Sequence, residues 1–326
     1  MKDIKHKIYA MAKDDLEGVE AALKNHLNPQ IDLVSKIAGH ILFSGGKRLR
    51  PLLMILSSKL CGYQGNDHIV FSTVFEYLHA ATLLHDDLID LSSTRRGKPA
   101  AHIIWGNPET ILTGDFLLAR SILIAAETNN IRLTKIVAHI AEKMSLGEIS
   151  QLMNSRKTDI SEKQYMDIIS WKTAVLFQCA CQAGAIIANA PEKNIEALSE
   201  YGFNLGIAFQ MTDDLLDYTS ETKTLGKNIG ADLKEGKITL PLIYALKHAC
   251  LEDRLLMETI ITTKAFTQDN FHALIELIEK YNGFSYTSHQ AAGHITAAKQ
   301  ALLSFKDSET KDLFLNIADY ALLRDV

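Results

Sequence analysis

Proline and glycine are scarce, with 6 and 18 in 326 residues. A chain of many short strands needs more turn residues than this, so the shortage favours long helices. No convincing run of strictly alternating apolar and polar residues is present. No uncharged apolar stretch reaches the length of a membrane span. The N-terminal run Met1-Lys2-Asp3-Ile4-Lys5-His6-Lys7 lacks the apolar core of a signal peptide, so a cytoplasmic location is the expectation. Cysteine is sparse as well. Cys61, Cys179, Cys181 and Cys250 form no CxxC pair and no Cys/His cluster at zinc spacing, and read as small apolar thiols. An excess of positive charge is also missing. The formal net charge of −5 argues against a nucleic-acid surface, so any anionic ligand must be held by local cations or metal. Walker A and Rossmann glycine fingerprints are absent.

Apolar residues make up 47% of the chain, and they recur at helical spacing. Val70, Val74, Tyr77, Leu78, Ala81 and Leu84 form one stripe. Ile136, Ile140, Met144, Ile149 and Leu152 form a second. Ile168, Trp171, Val175, Ile186 and Ile187 mark another long helix. A further helix is expected from about Ile195 to Asp217, with Gly202, Gly206 and Ala208 allowing close helix packing. Breaks fall at Gly45-Gly46, Gly97-Lys98-Pro99, Gly106-Asn107-Pro108 and Asn189-Ala190-Pro191. No repeat, linker or composition shift divides the chain. The pattern predicts an all-α, multi-helix bundle forming a single domain over residues 1–326.

The stripe that starts at Val70 runs into Asp86-Asp87-Leu88-Ile89-Asp90 and then breaks at Leu91-Ser92-Ser93-Thr94. Asp86 and Asp90 lie one helical turn apart on one face. Acids at a helix C-terminus oppose the macrodipole, and a bound cation would offset that cost. Carboxylate oxygens suit a hard ion such as magnesium. Asp213-Asp214-Leu215-Leu216-Asp217 repeats the arrangement. One such motif could be a solvated helix end. Two copies, each followed by a basic loop with glycine, favour a pair of metal sites. A general acid and base, as in glycoside hydrolysis, would need only two acids and leaves the triplets and cations unexplained.

Cations cluster nearby. Gly45-Gly46-Lys47-Arg48-Leu49-Arg50-Pro51 joins glycines to three of them, and Arg and Lys supply donors to phosphate. Thr94-Arg95-Arg96-Gly97-Lys98-Pro99 follows the first acidic motif. Its arginines either pair with the aspartates or face a diphosphate while metal neutralises the acids. Lys227 and Lys237 follow the second motif.

Together these segments resemble the trans-polyprenyl diphosphate synthase family, most closely its long-chain octaprenyl members. The likeness runs from Gly45 to Pro241. It also includes Gly114-Asp115-Phe116-Leu117, Lys172-Thr173, Phe209-Gln210-Met211-Thr212-Asp213-Asp214 and Gly226-Lys227-Asn228. Thr212 stands where the family usually has an aliphatic residue. The resemblance implies an isoprenoid synthase bundle around a central apolar cavity, acting on isopentenyl diphosphate and an allylic prenyl diphosphate. It implies that Lys47, Arg50, His79 and Arg96 hold the first substrate, and that Arg95, Lys172, Lys227 and Lys237 hold the second. Taken alone, His79 reads as a satisfied core histidine. By the same resemblance, Asp86, Asp90 and Asp213 are the principal ligands of about three magnesium ions, with Asp87 and Asp217 completing the set. Lys172, Thr173 and Gln210 face the reacting carbon. The family implies a homodimer, and a long apolar product implies a peripheral membrane contact at release.

Product length should be set by Thr82, Ala81 and Leu78, which lie four, five and eight positions before Asp86 on the core side of the helix. Short-chain relatives block this path with an aromatic residue. Here Ala81 and Thr82 are small, which predicts a product longer than farnesyl diphosphate, of octaprenyl size, for a quinone side chain. Tyr77, Phe71 and Met144 are candidates for the tunnel floor. A terpene cyclase would carry an Asn/Ser/Glu-type second motif in place of Asp213–Asp217. An accessory subunit of a heteromeric synthase would be expected to have lost acids or cations, and none is lost here.

Overall fold

The computed structural model describes residues 2–219, 230–263 and 267–323. The N-terminal part comprises α1 (Lys2–Met11), α2 (Lys13–Leu27), α3 (Asp32–Leu42), α4 (Leu49–Leu60) and α5 (Asp67–Ile89). A short hairpin, β1 (Thr94–Arg95) and β2 (Lys98–Pro99), leads to α6 (Ala101–Trp105), α7 (Asn107–Glu127) and α8 (Ile131–Met153). Then come α9 (Glu162–Ile169), a π turn (Ser170–Ala174), α10 (Val175–Ile187) and α11 (Glu192–Thr219). The chain closes with α12 (Ala231–Glu235), α13 (Leu240–His248), α14 (Leu251–Thr262), α15 (Gln268–Lys280), α16 (Gly283–Ala301) and α17 (Glu309–Leu322). This is the all-α bundle expected.

Local chemistry sets several boundaries. The Asn130 side chain accepts from Arg132 N at 3.0 Å and starts α8. Ser161 and Gln164 form a capping box at α9, each satisfying a backbone or side-chain group of the other. Proline occupies the first turn of α7 and of α13, where its missing N–H costs nothing. The predicted stripe of α5 is buried at Val74, Tyr77, Leu78, Ala81 and Leu84. On α8, Ile136, Ile140 and Met144 are buried, whereas Ile149 and Leu152 line an open cavity.

Helix α5 packs on α4 and α7, α10 on α4 and α11, and α11 on α16. Among the described residues no helix is long and apolar enough to cross a membrane. The thiols are free, and burial pushes Cys179 and Cys181 up to about 12, as expected of inert core residues.

Two features depart from the helical reading. The hairpin's two-residue ladders are too short to leave a period-two pattern, yet its turn is legible afterwards. Arg96 and Gly97 both have positive φ, as a tight hairpin of this kind requires. The helix expected through Trp171 is interrupted by the π turn, which carries Lys172 and Thr173. Two glycines accommodate it. A Cβ on Gly147 of α8 would meet Lys172 N at 2.7 Å, and one on Gly206 of α11 would meet Ala174 Cα at 2.6 Å.

Candidate active site

The C-terminal ends of α5 and α11 open on one cavity of about 990 Å³, to which α8, α9 and the π turn also contribute walls. Asp86 and Asp90 reach it from α5, and Asp213 and Asp217 from α11. The repeated acidic motif is thus two halves of one site.

The acids are not equivalent. Lys172 Nζ lies 3.7 Å from Asp86 Oδ2 and is ion-paired with Glu148. Burial raises the Asp86 carboxyl to about 6; Lys172 opposes the shift, while Glu148 and Asp90 add to it. Asp90 Oδ2 accepts from Lys237 Nζ at 2.8 Å, and the same ammonium reaches Glu235 at 2.5 Å. Asp87 departs from the expected ligand set. It is 1% exposed and does not line the cavity. Its Oδ1 accepts from both Nε and Nη2 of Arg95. One residue further along the helix, it has rotated about 100° from Asp86, which turns it inward. Asp217 lines the cavity, but its carboxylate also accepts the backbone N–H of Ala231 and Asp232, at 3.2 and 3.1 Å, and so caps α12. Asp213 is exposed on the wall. Among the described residues no three acidic, histidine or cysteine side chains converge on one point.

These pairs also qualify the dipole argument. The chain's own Arg95, Lys172 and Lys237 offset the acids at the end of α5. The arginines after the first motif divide between the two readings left open by the sequence. Arg95 pairs with Asp87, and Arg96 stays exposed at the hairpin turn beside the cavity.

The basic segment before α4 divides likewise. Lys47, Arg50 and His79 line the cavity. Lys47 Nζ sits 5.8 Å from the Phe209 ring centroid and 5.4 Å from that of Tyr320, and the Arg50 guanidinium 4.6 Å from that of Phe177. Arg48, between them, also borders the cavity, but its guanidinium is taken up by protein partners. It bonds Glu20 at 2.6 Å, Glu76 at 2.5 Å and the Leu42 carbonyl. It is the N-cap of α4 and has a positive φ of 50°. Burial, with Arg50, Arg96, Arg95 and Arg48 around it, holds His79 well below the usual histidine range, so it faces the cavity as a neutral imidazole. It is a cavity residue rather than a core one. Lys227 lies outside the described residues.

A buried polar chain lies along one wall. Thr173 Oγ1 donates to Gln210 Oε1 at 2.7 Å, and Gln210 Nε2 donates to Asp214 Oδ1 at 2.7 Å. Tyr165 Oη donates to Asp214 Oδ2 at 2.6 Å. Burial pushes Asp214 well above the usual carboxylate range and Asp232 adds to this, while the two donated hydrogen bonds pull it back. Neither Glu148 nor Tyr165 was expected from the sequence. The available signal was spacing: Tyr165 stands two turns before Lys172.

Below Asp86 the cavity continues past Leu78, Ala81 and Thr82 of α5, Leu118 of α7 and Ala141, Met144 and Ser145 of α8. Thr82 donates its hydroxyl to the His79 carbonyl at 2.9 Å, so its polar atom is already satisfied within the helix. Of the three floor candidates, Met144 lines the cavity; Tyr77 and Phe71 are core residues away from it, and the Tyr77 hydroxyl is bonded to the Leu23 carbonyl at 2.7 Å.

Residues 31–278 match the family described as Polyprenyl synthetase. Over 323 residues the chain is 36% identical to octaprenyl diphosphate synthase of Escherichia coli, covering 98% of each chain. It is 35% identical to the all-trans-nonaprenyl-diphosphate synthase of Rhodobacter capsulatus, covering 99% of this chain and 98% of the other. The crystal structure of a polyprenyl synthase from Caulobacter crescentus, complexed with calcium and isoprenyl diphosphate, superposes with a TM-score of 0.94 at 37% identity, covering 99% and 98% of the two chains. With two aspartate-bearing helix ends facing one apolar-bottomed cavity, and this likeness along almost its whole length, the chain belongs to the polyprenyl synthetase family and is a prenyltransferase.

Proposed function

We propose that this chain, as one catalytic domain, is a long-chain trans-polyprenyl diphosphate synthase that extends an allylic primer such as farnesyl diphosphate to octaprenyl length for a quinone side chain. The observation that carries this reading is the continuation of the cavity beneath Asp86 past the small Ala81 and Thr82.

The donor set fits magnesium. All the acids offer hard oxygen, and magnesium prefers one or two carboxylates with waters and phosphate oxygens to an all-protein cage. Acids spread across two walls match that preference, with Asp86 and Asp90 on one side and Asp213 on the other. About three ions would be held there with the allylic diphosphate, and when bound they stabilise the negative charge of the leaving diphosphate. The chain's residues do the rest. Lys172, Lys237 and Arg95 border the acids and bind the allylic diphosphate together with Lys227. Lys47, Arg50, His79 and Arg96 bind isopentenyl diphosphate. The allylic carbon–oxygen bond breaks with both electrons leaving on oxygen. Thr173 and Gln210 present dipoles to the resulting carbocation. The isopentenyl double bond attacks it, and the proton lost from the new chain passes to the released diphosphate. Incubating the purified chain with magnesium, isopentenyl diphosphate and farnesyl diphosphate should give products longer than the primer by chromatography. No condensation by the chain alone would favour an accessory subunit instead.

The homodimer expected for such an enzyme is assigned to the outer faces of α7 and α8. Ile111, Leu112, Ile122 and Leu123 of α7 and Leu146 and Met153 of α8 are exposed there, with Leu112 at 65%. The inner faces of the same helices wall the tunnel, so a second copy on this stripe would brace it. Leu112→Glu with Leu123→Glu should convert a dimer to a monomer in sedimentation. An unchanged mass would place the interface elsewhere. A peripheral membrane contact serves release of the long product.

A further inference from the structure

We propose that Tyr165 and Asp214 are positioning residues for the condensation: together they determine which end of the Thr173 hydroxyl faces the reacting carbon. The inference rests on the placement of Thr173 and Gln210 beside the carbocation.

A hydroxyl carries one proton and two lone pairs, and these have opposite effects on a neighbouring cation. A lone pair aimed at the carbocation stabilises it; a proton aimed at it destabilises it. Thr173 directs its proton to Gln210 Oε1 at 2.7 Å, which leaves its lone pairs for the cavity. This holds only while the amide oxygen of Gln210 faces Thr173. A flipped amide would point its NH₂ at Thr173 and turn the hydroxyl proton toward the substrate.

Asp214 decides the orientation of that amide. Its Oδ1 accepts from Gln210 Nε2 at 2.7 Å, and a carboxylate oxygen would repel the amide oxygen of a flipped side chain. Tyr165 in turn fixes the carboxylate by donating to Oδ2 at 2.6 Å. Tyr165 and Asp214 are each 3% exposed, so water does not compete for these bonds. The elements are held from outside as well. The capping box of Ser161 and Gln164 fixes the start of α9 four residues before Tyr165, and α11 approaches the π turn closely at Gly206. The chain of donors therefore runs one way, from Thr173 through Gln210 to Asp214, and ends on a group clamped by Tyr165.

The test is a double-mutant cycle on the single-turnover rate of the first condensation with farnesyl diphosphate. Tyr165→Phe keeps the ring and removes the donor. Thr173→Val keeps the shape and removes the hydroxyl. Each should slow the reaction by about 10- to 100-fold, with KM for both diphosphates within about twofold of the parent. In the Thr173→Val background, Tyr165→Phe should cause no further loss, because its effect passes through that hydroxyl. Asp214→Asn supplies a second variant. With its oxygen turned to Tyr165, its NH₂ would face Gln210 and reverse the chain, so it should slow the reaction at least as much and also be silent behind Thr173→Val. Losses that multiply in the double variants would overturn the proposal, as would a Tyr165→Phe enzyme at parent speed beside a slow Thr173→Val. If Thr173→Val itself runs at parent speed, the placement of Thr173 beside the carbocation is what has failed, and the positioning role fails with it.

Discussion

Asp86→Asn should lower the single-turnover condensation rate by about a thousand-fold while leaving the metal-free protein at least as heat-stable as the parent. The two halves of this expectation have one cause. Asp86 is held against burial at a helix C-terminus, among Glu148 and Asp90, and its carboxyl is raised to about 6 from 3.8. A carboxyl whose folded value lies above its unfolded one stabilises the fold at low pH. That contribution is lost as pH rises through the interval from about 4 to about 6. At neutral pH the metal-free fold therefore keeps this carboxylate ionised at a cost, which asparagine removes. Lys172 is not orphaned by the change, since it retains Glu148. In the proposed role of Asp86 as a metal ligand, function suffers because asparagine offers no negative charge to a divalent cation. Thermal unfolding without metal and single-turnover rates with it check both halves. A large drop in melting temperature alongside the lost activity would make Asp86 a structural residue.

Ala81→Phe should shorten the principal product by several isoprene units, with little change in the rate of the first condensation. Ala81 is 4% exposed and lines the cavity below Asp86, flanked by Leu78 and Thr82 and faced by Leu118, Ala141 and Ser145. A phenyl ring placed there would fill the proposed path of the growing chain about 1.4 helical turns, or about 7.5 Å, below Asp86. In the proposed arrangement the primer's reactive end is held above it, so early turnovers should proceed and later ones stall. Chromatography of the products reads the outcome. An unchanged product length would remove Ala81 from the tunnel wall.

Much of this was legible in the residues themselves. The stripe of α5 and the acids that end it are written at helical spacing, and the small pair below them needs no tertiary information to be recognised. The side chains that share a loop but part company in space were not legible. Lys47, Arg48 and Arg50 look alike in sequence, yet Arg48, at the cavity edge, commits its guanidinium to Glu20 and Glu76. Asp87 differs from Asp86 only by one residue of rotation, and its partner Arg95 comes from a hairpin too short to have a pattern of its own. Glu148 and Tyr165 carry no motif; they become part of the site because α8 and α9 pack beside Lys172 and Asp214.

The π turn at Ser170–Ala174 has a consequence for how this gene can vary. A π turn is in effect one residue more than an α-helix needs. Deleting a single codon there would let α9 and α10 fuse into one regular helix, a change that the local backbone would welcome. Every side chain upstream would swing by about 100° relative to those downstream. Tyr165 and Thr173 could then no longer address Asp214 and Gln210 from the same wall. The surplus residue is thus a reading-frame of another kind, kept against the helix's own preference, and its loss would leave a protein that folds and makes nothing.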